Sequence, residues 1–292
     1  IDIVSSNYSG SSSNYKTFTW MKQSYDAIVP TVSSITSSVS DGIYKIGDVI
    51  PITINWSEAA VVTGSPKLKL ETGSTDQYAT YSSGSGSTSL IFNYTIVAND
   101  TTPDLDYHST SALELNGGTI KDASGNTAVL TLPAPGGSGS LGANKTIVID
   151  GNVPTVSSVT STKVNGGYID GTTIPITITF SQSVNVTGTP QLTLETGATD
   201  AVVDYTSGSG TASLIFNYVV TTGQNSSNLD YISTSSLSLN SGTIKDASGN
   251  NAVLTLPTPG ASGSLSANKN LVIDTTSPTI SSVCLLYTSD AA

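Results

Sequence analysis

Apolar and polar residues alternate along many short segments of this chain. Ile50, Ile52 and Ile54 are separated by single residues, and the stretch from Phe92 to Ile96 alternates in the same way. Successive side chains of a strand point to opposite faces, so this period of two predicts half-buried β-strands. No segment keeps the 3.6-residue period of a helix, and Gly-rich turns separate the strands. We therefore predict an all-β chain in which Tyr94 faces the core.

The chain contains a long internal repeat, which indicates domains rather than the short units of a solenoid. The segment Pro30-Thr31-Val32-Ser33-Ser34 returns at 154–158 and, with Ile for Val, at 278–282, an offset of 124 residues each time. We predict two complete domains, repeat 1 (30–153) and repeat 2 (154–277), and the start of a third at 278–283. Residues 1–29 are predicted to be the tail of a preceding domain or a linker.

The last nine residues, 284–292, do not continue the repeat. They resemble the in-frame translation of a sequencing adapter and are predicted to be non-native. The chain's one cysteine, Cys284, belongs to this segment.

Several antiparallel strands with one apolar face each bury that face by packing two sheets together. Each repeat is therefore predicted to be an immunoglobulin-like antiparallel β-sandwich, and the chain to be a string of such domains. The cysteine pair of antibody domains is missing, so the core must hold without a disulfide.

Composition and charge exclude several classes of function. The chain has ten lysines, no arginine and a net charge of −11, which argues against nucleic-acid binding. No apolar run reaches the length of a membrane span, so no membrane insertion is predicted. With a single histidine, His108, expected to be an exposed strand-end residue, the chain is predicted not to be an enzyme.

Three segments carry a resemblance to a known family: 62–70 (VTGSPKLKL), 122–126 (DASGN) and the joint at 274–278 (DTTSP). They resemble bacterial immunoglobulin-like tandem repeats, which form stalks in large secreted or surface-attached adhesins. The resemblance implies an exported, extracellular, non-catalytic spacer whose partners are the neighbouring repeats. A host glycan or protein ligand would bind at a distant tip. Two alternatives remain: a carbohydrate-binding module, and accessory domains of an extracellular hydrolase.

Candidate metal ligands lie at the predicted joints between repeats. Because Ca²⁺ prefers many oxygen ligands, the equivalent carboxylates of the two repeats suggest a calcium site, with Asp150 helped by Asp122. No cofactor is required, and turn or capping roles explain the same residues. The candidate ligands are Asp122, Asp150, Asp246 and Asp274.

Two further hypotheses concern covalent cross-linking and sugar binding. Lys121 or Lys145 could form an isopeptide bond with Asn93 if the groups were buried together, as could the equivalent Lys245 or Lys269 with Asn217. Tyrosines could stack on sugars, although burial in the core is the alternative. The tyrosines that repeat are Tyr44, Tyr81, Tyr94 and Tyr107, with Tyr168, Tyr205, Tyr218 and Tyr231 in repeat 2.

Overall fold

The computed structural model describes residues 26–283, so the predictions for 1–25 and 284–292 lie outside the described residues. In repeat 1 the regular elements are β1 (Val32–Ser37), β2 (Gly42–Lys45), β3 (Val49–Thr63), β4 (Lys67–Glu71), β5 (Tyr78–Ser83), β6 (Ser87–Thr95), β7 (Thr101–Thr102), β8 (Asp106–Tyr107), β9 (Leu113–Glu114), β10 (Thr119–Lys121), α1 (Leu141–Asn144) and β11 (Ile147–Asp150).

Repeat 2 has the same elements in the same order. They are β12 (Val156–Ser161), β13 (Gly166–Tyr168), β14 (Thr173–Thr187), β15 (Gln191–Glu195), β16 (Ala201–Ser207), β17 (Thr211–Val219), β18 (Asn225–Ser226), β19 (Asp230–Tyr231), β20 (Leu237–Ser238), β21 (Thr243–Lys245), α2 (Leu265–Asn268) and β22 (Leu271–Asp274). Strands make up 47% and helices 3% of the described residues, which confirms the prediction of an all-β fold.

Each repeat consists of two sheets. In repeat 1 the larger sheet has the order β1-β3-β6-β5-β4-β8, with β10 also pairing with β3 and β9 with β4, and the smaller sheet has the order β2-β11-β7. Repeat 2 reproduces both sheets. Among the ladders of the described strands, β11–β2 and β22–β13 run parallel and the others run antiparallel. The prediction of antiparallel sheets therefore holds except at this one parallel ladder of each repeat, which joins strands from distant parts of the repeat.

The predicted alternation fills the core. Ile50, Ile52 and Ile54 of β3 are completely buried, and Tyr94 and Phe92 of the adjacent strand β6 pair with Ile50 and Ile52. The prediction that Tyr94 belongs to the core is confirmed. One buried cluster runs from Ile35 to Ile149 and the other from Val159 to Ile273, so each lies within a single repeat.

The longest strand of repeat 1, β3, also determines where the loop after β10 lies. The register of β3 against β6 shifts between Asn55 and Ala60, and its last residues pair with β10 instead. The loop after β10 therefore begins at Asp122, next to the point where the chain enters the repeat, since Thr31 forms a bridge to Val129. The same shift and bridge occur in repeat 2.

Candidate functional site: the joint between repeats

The loop that follows β21 is built from the sequence Asp-Ala-Ser-Gly-Asn. We call residues 246–250, and their equivalents 122–126 in repeat 1, the joint loop. Asp246 accepts a hydrogen bond from the backbone N–H of Asn250 at 2.8 Å, and the backbone N–H of Asp246 donates to the Asn250 carbonyl at 3.1 Å. Gly249 has φ +91°, a left-handed conformation that glycine adopts without a Cβ penalty. The motif thus forms a closed turn with its asparagine held in place.

Asn250 connects the joint loop to three other backbone positions. Its Nδ2 donates to the Asp150 carbonyl at 2.9 Å and to the Asn152 carbonyl at 3.3 Å. Its Oδ1 accepts from the backbone N–H of Ile46, in the turn between β2 and β3, at 3.1 Å. Asn250 is 3% exposed, so these bonds are shielded from water. One side chain therefore ties repeat 2 to the linker (151–153) and to repeat 1.

The joint loop also binds the carboxylate at the end of β11. Ser248 Oγ donates to Asp150 Oδ2 at 2.5 Å, while Asp150 Oδ1 accepts from the backbone N–H of Asn152 at 3.1 Å. The Asp150 carboxylate therefore stabilises the turn at the start of the linker and also contacts repeat 2.

Repeat 1 forms the same contacts with the segment that precedes it. Asn126 Nδ2 donates to the carbonyls of Asp26 and Ile28 at 3.0 and 3.1 Å, and Ser124 Oγ donates to Asp26 Oδ2 at 3.3 Å. Asp26 precedes Asp150 by the repeat period of 124 residues. The contact is therefore a repeated property of the domain.

Three acidic side chains lie close together where the chain enters repeat 1, and we call them the acidic group. Carboxylate oxygens of Asp26, Glu58 and Asp122 lie within 4.8 Å of one another, and Glu58 Oε1 is buried without a hydrogen-bond partner. Burial, together with the charges of Asp26 and Asp122, raises the pKa of Glu58 above its ordinary value. Burial also opposes ionisation of Asp122, but hydrogen bonds led by those from Asn126 outweigh it and lower the pKa of Asp122.

In repeat 2 an amide side chain replaces one of the three carboxylates. Gln182 takes the position of Glu58, and its Nε2 donates to Asp246 Oδ2 at 3.2 Å. The two joints thus share the hydrogen bonds of the joint loop and differ in charge.

The predicted calcium ligands are distributed differently from the expectation. Asp122 lies beside Asp26 rather than Asp150, because the joint loop next to Asp150 belongs to repeat 2. Asp246 is held by Asn250 and Gln182, and Asp274 accepts from the backbone N–H of Thr276 at 2.9 Å. The pairing of Asp122 with Asp150 was wrong, since sequence period alone does not identify which neighbour a loop meets.

Sequence reasoning overlooked Glu58, the third member of the acidic group. The signal that could have revealed it is the Glu58/Gln182 difference at equivalent positions of the repeats. Calcium binding stays a prediction, and the residues that would carry it at the first joint are Asp26, Glu58 and Asp122.

Calcium should raise the melting temperature of repeat 1 relative to a chelator, because a divalent cation would offset the repulsion among three carboxylates. Repeat 2 should respond less, since Gln182 leaves only two carboxylates at its joint. Differential scanning calorimetry with calcium and with EDTA measures both transitions. Glu58→Gln, which copies repeat 2, is the matched control and should remove the difference. Identical melting curves with and without calcium would end the calcium hypothesis.

Four of the eight repeated tyrosines are buried and cannot form a sugar-binding platform. Tyr94 and Tyr107 are 1% exposed, as are their equivalents in repeat 2. Tyr107 Oη donates to the Pro133 carbonyl at 2.7 Å, and Tyr44 Oη donates to the Ser40 carbonyl at 2.6 Å. The burial alternative is therefore correct for Tyr94, Tyr107, Tyr218 and Tyr231.

A buried polar group fixes the turn that receives the start of the linker. Asp100 Oδ2 accepts from Tyr94 Oη at 2.7 Å and from the Val97 backbone N–H at 2.9 Å. Its Oδ1 accepts from Gln77 Nε2 at 3.1 Å, and its carbonyl accepts from the Gly151 N–H at 2.7 Å. Burial and this carboxylate raise the pKa of Tyr94, whereas burial alone raises that of its equivalent Tyr218 to about 12.

Lys145 and Asn93, one pair proposed for an isopeptide bond, hydrogen-bond to different groups. Lys145 Nζ donates to the Val39 carbonyl at 2.7 Å, while Asn93 Nδ2 donates to Ser82 Oγ at 3.2 Å on β5. These separate partners argue against a cross-link between Lys145 and Asn93.

No family model matches the chain, and a search of curated proteins finds no match to it. Within residues 26–283, no helix is both long and apolar enough to span a membrane. The fold and the joint define an all-β chain of sandwich-like domains.

Proposed function

We propose that this chain is a non-catalytic spacer, a stalk module of an exported bacterial adhesin that acts outside the cell. Its immediate partners would be neighbouring repeats, and any host ligand would bind at a distant tip. The observation that carries the proposal is the joint loop, which makes the same hydrogen bonds with the preceding segment at two successive joints.

The contacts of Asn250 suit a domain whose task is to hold its neighbour at a set distance. A linker of three residues spans about 10 Å when extended, which leaves little free path between the sandwiches. Asn250 then fixes that path on two carbonyls and joins it to the Ile46 backbone N–H of the preceding repeat. A joint with these restraints would transmit position from one domain to the next.

The charge of the chain fits the same role. Because the chain has a net charge of −11, successive domains repel one another, which favours an extended arrangement. It also discourages exposed strand edges from pairing with other molecules. The burial of Tyr94 and Tyr107 gives the carbohydrate-binding alternative no aromatic surface from these residues.

Small-angle X-ray scattering on the chain tests the spacer proposal. At roughly 40 Å per sandwich, set by a strand of about 11 residues, the two repeats end to end should give a maximum dimension of at least about 80 Å. That dimension should stay constant between low and moderate salt, because the joint is held by hydrogen bonds. A compact particle near 50 Å across, with the repeats side by side, would refute the spacer role.

A further inference from the structure

The chain's only histidine lies in a cluster of charged side chains on repeat 1. His108 follows β8, and its backbone N–H donates to the carbonyl of Lys69 on β4 at 3.0 Å. Lys69 and Glu71 are two residues apart on β4 and so project from the same face. Asp76, from the loop after β4, completes the cluster.

The imidazole Nδ1 atom faces two carboxylates. It lies 3.3 Å from Glu71 Oε2 and 3.2 Å from Asp76 Oδ2, and the three atoms all lie within 4.8 Å of one another. The side chains of His108 and Glu71 are 45% and 51% exposed, whereas that of Asp76 is 16% exposed. An ion from solution could therefore reach the cluster without any rearrangement of the core.

Because Nδ1 faces two carboxylate oxygens, a positive charge at this point, either a proton on Nδ1 or a metal ion, stabilises the cluster. A ring nitrogen carries at most one proton, and an unprotonated Nδ1 would direct its lone pair at two anionic oxygens. A metal ion satisfies all three atoms at once. Tetrahedral zinc with bonds of 2.0–2.2 Å places its ligand atoms about 3.3–3.6 Å apart, close to the separations of 3.3 and 3.2 Å between Nδ1 and the two carboxylate oxygens.

We propose that His108, Glu71 and Asp76 form a zinc-binding site with three protein ligands and a fourth position open to solvent. One imidazole nitrogen and two carboxylate oxygens suit borderline divalent ions such as Zn²⁺, whereas Ca²⁺ takes oxygen ligands. The open position would hold water or a carboxylate or imidazole group from another molecule. This site is distinct from the joint and independent of the spacer role.

Lys69 is the competing cation within the cluster. Its Nζ lies 2.9 Å from Asp76 Oδ2, the same oxygen that faces His108. Zinc must displace the ammonium from that oxygen, and Lys69 therefore weakens the site.

Repeat 2 provides the internal control. It keeps both carboxylates as Glu195 and Asp200 but has Thr193 in place of Lys69 and Ile232 in place of His108. The site is thus confined to repeat 1, and the replacements found in repeat 2 are compatible with the fold.

Zinc titration of the isotope-labelled chain tests the proposal, because its one histidine gives one set of ring nitrogen signals. We expect the NMR signal of Nδ1 to shift on addition of zinc. Isothermal titration calorimetry should show saturation at one Zn²⁺ per chain. His108→Ile should abolish this binding, and Glu71→Gln and Asp76→Asn should each weaken it by about tenfold or more. Lys69→Thr should tighten it a few fold by removing the competing charge.

Lys69→Thr separates a metal site from a salt-bridge cluster, since only a metal site gains affinity when the ammonium is removed. Ring signals that do not move at millimolar zinc would overturn the proposal. So would binding through Nε2 that is unchanged by Glu71→Gln and Asp76→Asn, because that result would mean an isolated imidazole contact. Melting curves of the variants confirm that each is folded.

Discussion

Replacing Asp100 by Ala should lower the free energy of unfolding of repeat 1 by about 3–5 kcal/mol. Asp100 is 2% exposed. Removal of its carboxylate leaves Tyr94 Oη, the Val97 N–H and Gln77 Nε2 without their acceptor. Each buried donor that loses its acceptor costs about 1–3 kcal/mol. Differential scanning calorimetry should show the transition of repeat 1 falling while that of repeat 2 stays in place.

The matched control for this substitution comes from repeat 2. Gln224 occupies the position of Asp100 and accepts from Tyr218 Oη at 2.7 Å and from the Thr221 N–H at 3.0 Å. Asp100→Gln should therefore keep most of the stability that Asp100→Ala loses. A repeat 1 that melts at the wild-type temperature with Ala at position 100 would mean that these hydrogen bonds contribute nothing.

Replacing Asn250 by Ala should free the joint while leaving both sandwiches folded. The substitution removes the bonds to the Asp150 and Asn152 carbonyls and leaves the Ile46 N–H without its acceptor. The cores do not depend on Asn250, so the loss falls on the orientation of one repeat relative to the other. The width of the distance distribution between spin labels on the two repeats, from pulsed electron paramagnetic resonance, should increase.

Asn126→Ala is the control for the joint. Asn126 makes the equivalent bonds to Asp26 and Ile28, before repeat 1 rather than between the two repeats. Its replacement removes the same chemical groups from the chain but should leave the distance distribution between the repeats as it is in the wild type. Equal broadening by both substitutions would indicate a general loosening and contradict the assigned role of Asn250.

The strands and the core could be predicted from the sequence because their signal is local. The alternation of Ile50, Ile52 and Ile54 specifies which face is buried, and the repeat period carries the assignment into repeat 2. The α1 helix could not be found in this way, because four residues are too few to display a period. It is held by its cap, in which Ser140 Oγ accepts from the Ala143 N–H at 3.1 Å, and by the buried Leu141.

The joint could be predicted only in part. Asp150 was correctly placed at the joint, but the residues that contact it come from the following repeat, about 100 positions further along the chain. The sequence of the joint loop indicates a tight turn, and nothing local indicates what the turn contacts. The parallel pair β2–β11 was missed for the same reason, since it brings Gly42 beside Ile147.

Whether the joint loop fixes one repeat on the next is tested most directly by the distance distribution between labels on the two repeats of the otherwise wild-type chain. Ser38 and Thr162 are exposed, equivalent positions, and each can be replaced by cysteine after Cys284 is changed to Ser. The joint described here predicts one narrow distance population that does not change with salt. A broad distribution, like that of two domains on a free linker, would contradict the claim that the joint loop fixes one repeat on the next.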